Sequence, residues 1–167
     1  MEAFGAIYLD TNIFIMAFEI RSEVSDQLTH IFDTLDGQPE ARLITSELTL
    51  SELLVRPIRE NDEQRVEQYK AFIAPSRWLN VLPVARSTLH VAATLRAKTS
   101  NLKLPDAIHI ATAIGTSCSH ILTNDNGIRG IYSLHKSAKS AEPDPKPLTV
   151  IRPDAPTLSS ILQSLAA

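Results

Sequence analysis

The sequence lacks the features that mark secreted and membrane-spanning proteins. Cys118 is the only cysteine among its 167 residues, so no disulfide can form within the chain and a reducing compartment is expected. Apolar runs such as Ile13 to Phe18 are too short for a membrane span or for the core of a signal peptide. Glu2 also stands where a signal peptide would carry basic residues. We therefore expect a cytoplasmic protein with no membrane segment.

Positive charge is scarce as well. The sequence contains sixteen Lys and Arg and nineteen Asp and Glu, which gives a formal net charge of -3. A protein that binds nucleic acid through bulk electrostatics would carry an excess of basic residues. A polyanionic partner would therefore have to meet a local basic patch or a metal ion.

Several familiar catalytic patterns are absent, and neither a G-x-S-x-G motif nor a P-loop occurs. No pair at metal-binding spacing occurs among the five histidines, His30, His90, His109, His120 and His135. His109 comes three residues after Asp106 and could approach the same site, but on a helix it is expected to be a packed or surface residue. Cys118 has no neighbouring basic motif, which predicts a small buried residue and not a nucleophile.

Short apolar runs alternate with stretches of helical periodicity. We predict strands over Ile7 to Leu9, Leu43 to Thr45, Val81 to Val84, Ile121 to Thr123 and Leu148 to Ile151. Helices are predicted over Ser22 to Leu35, Glu47 to Val55, Glu60 to Ile73, Thr88 to Lys98 and Pro105 to Ile114. This alternation predicts a three-layer α/β/α sandwich with a mainly parallel central sheet of about five strands. At this length, residues 1–167 are expected to form one domain.

The C-terminal part has two contrasting segments. Lys136 to Pro147 is polar and rich in proline, and we predict a mobile loop there. A strand and a helical tail follow, and apolar residues recur in the tail at helical spacing, namely Leu158, Ile161, Leu162 and Leu165. The tail could complete the fold, swap onto a partner subunit or dock another protein. Ordinary packing is the favoured interpretation.

Four acids are predicted to lie at one end of the sheet. Asp10 ends the first strand, and Asp125 follows the fourth. Glu52 shares a helix face with apolar neighbours, and Asp106 follows Pro105 in the first turn of a helix. In open α/β sheets, ligands bind beyond the carboxyl ends of the strands. The four carboxylates therefore converge on the edge where a ligand is expected.

Each acid also has a conformational interpretation. Asp10 would serve as a helix cap, and Glu52 would complete a capping box with Thr49. Asp106 would complement a helix dipole, and Asp125 belongs to a run of turn residues. These alternatives require four independent coincidences at one edge, so their convergence favours a shared site.

The motifs LDTNIFI, SELTLSELLVRP, LPDAIHIATA and ILTNDNGI, in this order, resemble the PIN domain. The closest likeness is to the VapC-like ribonuclease toxins of bacterial toxin–antitoxin pairs, over roughly Ile7 to Ile131. The resemblance implies a metal-dependent nuclease, a cognate antitoxin and a homodimer. Four residues match the family's acidic quartet, Asp10, Glu52, Asp106 and Asp125, and two match its polar supporting positions, Asn12 and Thr123. Gly127 departs from the pattern, because many members carry a further acid there, and this difference bears on whether a second metal binds.

The implied chemistry uses hard cations, because Mg²⁺ and Mn²⁺ prefer oxygen ligands. We expect Asp10 and Asp106 to hold the principal metal. Asp125 and Glu52 would complete its shell through waters or form a weaker second site. Such a metal can polarise a scissile phosphate and neutralise developing charge. Arg56 and Arg129 are the candidates for contact with RNA.

Three functions are compatible with these residues. The favoured one is a Mg²⁺- or Mn²⁺-dependent endoribonuclease that is the toxin of a type II toxin–antitoxin pair. A PIN-like module with a decayed active site could instead bind RNA or protein, although all four acids are present. A metal-dependent hydrolase of small phosphoesters is the third, and it is disfavoured because Thr11 and Asn12 follow Asp10 where an Asp-x-Asp motif would be expected.

Overall fold

The structure is a computed structural model that describes residues 4–36, 42–135 and 143–165. Within these ranges the sheet has six strands, β1 Ile7–Leu9, β2 Leu43–Ser46, β3 Leu79–Leu82, β4 His120–Leu122, β5 Ile131–Tyr132 and β6 Leu148–Ile151. Their spatial order is β3-β2-β1-β4-β6-β5. Neighbouring strands are parallel except β5 and β6, which pair antiparallel. The mainly parallel sheet is confirmed, with the two-residue β5 in addition to the predicted strands.

Helices cover both faces of the sheet. The described helices are α1 Thr11–Glu19, α2 Glu23–Asp36, α3 Glu47–Glu60, α4 Glu63–Phe72, α5 Arg86–Lys98, α6 Leu104–Gly115 and α7 Ala155–Leu165. Ile7 and Leu9 of β1 pack with α1, α2 and α7, whereas Tyr8 packs with α5 and α6. Successive side chains of a strand point to opposite faces, so these two apolar clusters lie on opposite sides of the sheet. The α/β/α sandwich is confirmed.

None of the described helices is long and apolar enough to cross a membrane.

The third strand lies two residues earlier than predicted. We expected Val81 to Val84, whereas β3 spans Leu79–Leu82 and pairs with β2 along its whole length. Pro83 is the physical reason, because proline has no backbone N–H to donate to a sheet ladder. The strand therefore ends before Pro83, and the apolar Val84 lies outside it.

Two helical features also differ from expectation. Helix α1 is missing from the predicted set, because Ile13 to Phe18 are apolar on every side and give no amphipathic pattern. Helix α3 continues beyond the predicted end at Val55 and passes through Pro57. A proline close to the end of a helix removes only one internal hydrogen bond, so the last turn persists. The helix ends at Glu60, and its C-cap residue Asn61 has a left-handed φ of 55°.

The C-terminal segment packs within its own chain. Residues 136–142 of the predicted mobile loop lie outside the described residues. Residues 143–147 lead into β6 without regular structure. Helix α7 packs on α2, with Leu158 and Ile161 buried. Among the three interpretations of the tail, ordinary packing is the one observed.

The sheet brings residues from distant parts of the chain to one edge. Leu9 of β1 and Leu122 of β4 are register partners, so the residues that follow them, Asp10 and Thr123, start side by side. The Asp10 amide donates to the Leu122 carbonyl at 3.2 Å. Strand β2, on the other side of β1, ends at Ser46 and runs directly into α3. The carboxyl ends of three neighbouring strands thus form a common edge.

Candidate functional site

Asp10 is a buried acid between β1 and α1. It is the N-cap of α1, and its Oδ1 accepts a hydrogen bond from the Thr11 amide at 2.7 Å. Its Oδ2 accepts from Asn12 Nδ2 at 2.6 Å and from Thr123 Oγ1 at 2.5 Å. Asp10 therefore caps a helix, as its conformational interpretation predicted, and also contacts both of the predicted supporting side chains.

Asn12 and Thr123 join the start of α1 to the turn after β4. Asn12 Nδ2 lies 3.2 Å from Thr123 Oγ1, and Asn12 Oδ1 accepts from the Asn124 amide at 2.9 Å. Thr123 Oγ1 in turn accepts from the Asp125 amide at 2.9 Å. These bonds connect the backbone that carries Asp125 with the carboxylate of Asp10.

Asp106 and Asp125 approach each other around Gly127. Helix α6 begins at Leu104, and Asp106 lies buried in its first turn. A Cβ atom placed on Gly127 would lie 3.0 Å from Asp125 Oδ1 and 3.2 Å from Asp106 Oδ2, so both carboxylates flank this glycine. Burial raises the pKa of Asp106, and the negative charges of Asp125 and Asp10 raise it further. The three acids therefore lie within electrostatic reach of one another.

Glu52 reaches the same edge from α3. Its capping-box interpretation is wrong, because α3 begins at Glu47 after the N-cap Ser46, which places Thr49 inside the helix. Glu52 Oε2 accepts a hydrogen bond from Thr11 Oγ1 and lies 3.0 Å from His109 Nε2. Burial opposes ionisation of Glu52, but the hydrogen bonds from His109 and Thr11 outweigh it and lower the pKa below its usual value.

His109 was expected to be a packed or surface residue, and it is 1% exposed. Its Nε2 lies 3.5 Å from Asp10 Oδ1 as well as close to Glu52. Its Nδ1 lies 2.8 Å from the Tyr8 hydroxyl, which donates to Ser46 Oγ at 3.0 Å. The histidine therefore bridges two acids of the site and connects them to a buried hydroxyl chain.

From the sequence, His109 was expected to be able to approach the site but was not favoured as part of it, and Tyr8 and Thr11 were missed, although two signals were available. Asp106 and His109 are three residues apart on one helix and so share a face. Tyr8 and Asp10 are two residues apart at the end of a strand and so project to the same side. Thr11 gave no such signal, because its partner Glu52 is 41 residues away in the chain.

The donor set fits a hard divalent cation. Asp10, Asp106 and Asp125 offer carboxylate oxygens. Burial and the negative charges of Asp125 and Asp10 raise the pKa of Asp106, and a cation would offset that charge. Gly127 leaves open the space that any side chain would fill between two of these carboxylates. In the described part of the chain, no group of three or more Asp, Glu, His or Cys is already arranged to hold an ion. Asp125 Oδ1, for example, accepts from the Gly127 amide at 2.6 Å.

The two predicted RNA-contacting arginines lie on exposed positions. Arg56 pairs with Glu19 at 3.0 Å and with Glu60 at 2.9 Å. The Arg129 guanidinium donates to the Asn126 carbonyl within its own turn. In the described residues, neither guanidinium is paired with one of the four acids. Both arginines therefore keep their role in RNA contact only as a prediction.

Three of the solved structures that superpose on this chain have TM-scores above 0.5. A chain of a toxin–antitoxin complex from Klebsiella pneumoniae has a TM-score of 0.51 and 25% sequence identity, covering 72% of this chain and 87% of that chain. VapC20 from Mycobacterium tuberculosis, a toxin that cleaves the sarcin–ricin loop, has a TM-score of 0.55 and 13% identity, covering 70% and 87%. VapBC2 from Rickettsia felis, solved with a DNA fragment from its promoter, has a TM-score of 0.53 and 19% identity, covering 72% and 88%. At the low identity of the last two, the likeness concerns the fold.

The sequence itself matches one family. No curated protein gives a significant match. A model of the PIN domain matches residues 7–134, a span that includes all four acids of the site. The sequence motifs, the mainly parallel sandwich and this match agree, and the chain belongs to the PIN domain family.

Proposed function

We propose that this protein is a Mg²⁺- or Mn²⁺-dependent endoribonuclease and the toxin of a type II toxin–antitoxin pair. The observation that carries the proposal is the approach of Asp106 and Asp125 around Gly127, with Asp10 close enough to raise the pKa of Asp106. Membership of the PIN domain family supports nuclease activity. The likeness to a chain of a toxin–antitoxin complex supports a cognate antitoxin as partner.

The residues take distinct roles in this proposal. Asp10, Asp106 and Asp125 would hold the metal, and Glu52 would complete its shell through waters or a weaker second site. When bound, the ion supplies positive charge to the scissile phosphate and lowers the pKa of an attacking water. Asn12 and Thr123 fix one oxygen of Asp10, while Thr11 and His109 fix Glu52.

The remaining features of the proposal concern partners and location. RNA is the substrate, and Arg56 and Arg129 would contact its phosphates at the rim of the site. The resemblance to VapC-like toxins favours a homodimer. The single cysteine favours a cytoplasmic location.

The decisive experiment measures RNA cleavage by purified Asp10→Asn protein with chelator, with Mg²⁺ and with Mn²⁺. We expect wild type to cleave only with metal, and Asp10→Asn to lose cleavage because asparagine keeps the shape but not the charge. Removing a group that acts in the transition state commonly costs about a hundredfold or more in rate. Asp33→Asn, which changes an exposed acid on α2, is the matched control and should cleave like wild type.

Four results would contradict the proposal. Cleavage by wild type in the presence of chelator would show that the reaction does not need a metal. Full activity of Asp10→Asn would show that Asp10 is not a catalytic residue. RNA binding without cleavage at any metal concentration would favour the binding module, and hydrolysis of a small phosphoester in the absence of RNA cleavage would favour the phosphoester hydrolase.

A further inference from the structure

Arg152 binds the turn that carries Asp125. It is the residue directly after β6 and is half-buried. Its guanidinium donates three hydrogen bonds to backbone carbonyls of this turn, to Thr123 at 2.9 Å, Asp125 at 2.7 Å and Ile128 at 2.6 Å. A guanidinium has five N–H donors in a rigid plane, so it can fix several acceptors at set angles.

The turn has few other backbone bonds to hold it. The Ile128 amide donates to the Asp125 carbonyl at 3.2 Å, and the Thr123 amide donates to Ile151 of β6 at 3.1 Å. The remaining bonds of the turn come from side chains, such as that from the Asp125 amide to Thr123 Oγ1. Arg152 therefore supplies the group that ties both ends and the middle of the turn to β6.

Arg152 contacts the backbone of the turn and not its carboxylates. In the described residues it forms no ion pair with Asp10, Asp106 or Asp125. Its effect on the acids is therefore one of placement, because the curvature of the turn determines how closely Asp125 approaches Asp106 around Gly127. Arg152 also lies beyond the part of the chain that the PIN model matches, residues 7–134.

We infer that Arg152 is a positioning residue of the metal site, which sets the Asp125 carboxylate against Asp106 by fixing the backbone of the Thr123 to Ile128 turn. The inference rests on the proposed function insofar as the acids hold a metal. Outer-shell partners of metal ligands commonly change metal affinity by tenfold or more when they are removed.

The direction in which metal affinity changes distinguishes a positioning role of Arg152 from a purely electrostatic one. Removing a cationic group near a cation site reduces repulsion, so a purely electrostatic role predicts tighter metal binding in Arg152→Met. A positioning role predicts weaker metal binding in Arg152→Met. It predicts the same in Arg152→Lys, because the compact ammonium keeps the positive charge but cannot bond to three carbonyls at once.

Arg42 provides a matched control. Its guanidinium donates to one backbone carbonyl, that of Ser164 in α7, at 3.3 Å. It precedes β2, at the opposite end of the strands from the acids. Arg42→Met therefore removes an arginine-to-carbonyl bond of similar kind without touching the turn.

The first measurement uses the metal-free protein and follows hydrogen exchange of the amides from Asp125 to Ile128. We expect faster exchange in Arg152→Met and Arg152→Lys than in wild type, and no change at these amides in Arg42→Met. Unchanged exchange in both Arg152 variants would overturn the inference, and this result does not depend on metal binding or on RNA cleavage.

The second measurement is calorimetric titration with Mn²⁺ without RNA. We expect the metal Kd of both Arg152 variants to rise about tenfold or more, while Arg42→Met binds like wild type. A merely structural role would lower the melting temperature of the Arg152 variants and leave the metal Kd unchanged. Unchanged or tighter binding would therefore overturn the inference.

A double variant tests whether Arg152 acts through Asp125. If it does, Arg152→Met should add little to the loss of Mn²⁺ affinity already caused by Asp125→Asn, because residues that act as one unit are not additive. Full additivity would contradict the inference. Wild type that neither binds Mn²⁺ nor cleaves RNA would instead defeat the proposed function, and the exchange result would show separately whether Arg152 fixes the turn.

Discussion

His109 stabilises the site by giving hydrogen-bond partners to three polar side chains from different parts of the fold. It contacts Glu52 of α3, Asp10 after β1 and the Tyr8 hydroxyl of β1. Burial raises the pKa of Tyr8, so its hydroxyl stays neutral and remains available for hydrogen bonding. The same imidazole helps keep Glu52 ionised, since its hydrogen bond lowers the pKa of that carboxyl.

We predict that His109→Leu destabilises the fold. Leucine fills a similar volume but leaves the buried Tyr8 hydroxyl and the half-buried Glu52 carboxylate with fewer partners. A buried polar group that loses its partner costs about 1–3 kcal/mol. Urea unfolding of His109→Leu should show this loss. His90→Leu, at an exposed position on α5, is the control, and equal stability of the two variants would contradict the role assigned to His109.

Cys118 has no part in this chemistry. It is buried, and burial raises the pKa of its thiol to about 11. The thiol is therefore protonated at neutral pH and is a poor nucleophile. The small buried residue expected from the sequence agrees with this environment.

The residues of the site that were predicted follow from the direction of the strands, whereas those that were missed depend on contacts between distant parts of the chain. Asp10 and Thr123 directly follow strands, so the direction of the sheet alone was enough to bring them together. The contact of Tyr8 with His109 spans 101 residues, and it depends on how α6 packs against β1. No local pattern encodes that packing, so the hydrogen-bond network was visible only in the folded chain.

Helices were predictable where one face is apolar and the other polar. Helix α2 has this pattern and closely follows its predicted bounds. Helix α1 does not, because it is apolar on every side and held by its cap and by burial. Strand β3 ends before Pro83, two residues earlier than the apolar pattern predicted. A single proline can therefore determine the end of a strand where the apolar pattern continues.

Helix α7 should contribute substantially to stability through its apolar face. Leu158 is 0% exposed and belongs to the apolar cluster that contains α2 residues. We predict that Leu158→Ala lowers the free energy of unfolding by about 2–5 kcal/mol, the usual cost of emptying a core leucine site. Leu89→Ala is the control, because Leu89 is 45% exposed, and a similarly small loss in both variants would contradict the packing of α7.

The stability of the whole molecule should depend on the charge state of its acids. The folded-state pKa of Asp106 is raised, so the folded protein binds this proton more tightly than the unfolded chain does. The resulting stabilisation is fully present below the unfolded pKa of about 3.9. It is lost as the pH rises through the folded value, and metal-free protein at neutral pH therefore carries the unfavourable charge.

We predict that metal-free Asp106→Asn melts above metal-free wild type at neutral pH, and that the difference shrinks as the pH falls through the raised pKa of Asp106 and wild type takes up the proton. Mn²⁺ should then stabilise wild type by about 2.7 kcal/mol at a hundredfold excess over its Kd, and should stabilise the variant by less. Thermal melts in chelator and in titrated metal measure both effects. An Asp106→Asn protein that melts below wild type without metal would show that the acids do not repel as inferred.

The position of β6 in the sheet has a consequence for synthesis of the chain. This strand follows the other five in sequence, yet it lies between β4 and β5 in space. Chains are made from the N-terminus, so β4 has an unpaired edge, and the Asp125 turn lacks Arg152, until the ribosome has added the residues of β6. A nascent polypeptide that already contains all four acids therefore cannot yet form the hydrogen bonds from Arg152 to the turn. The four acids of the candidate site thus all leave the ribosome before the strand and the arginine that complete their surroundings.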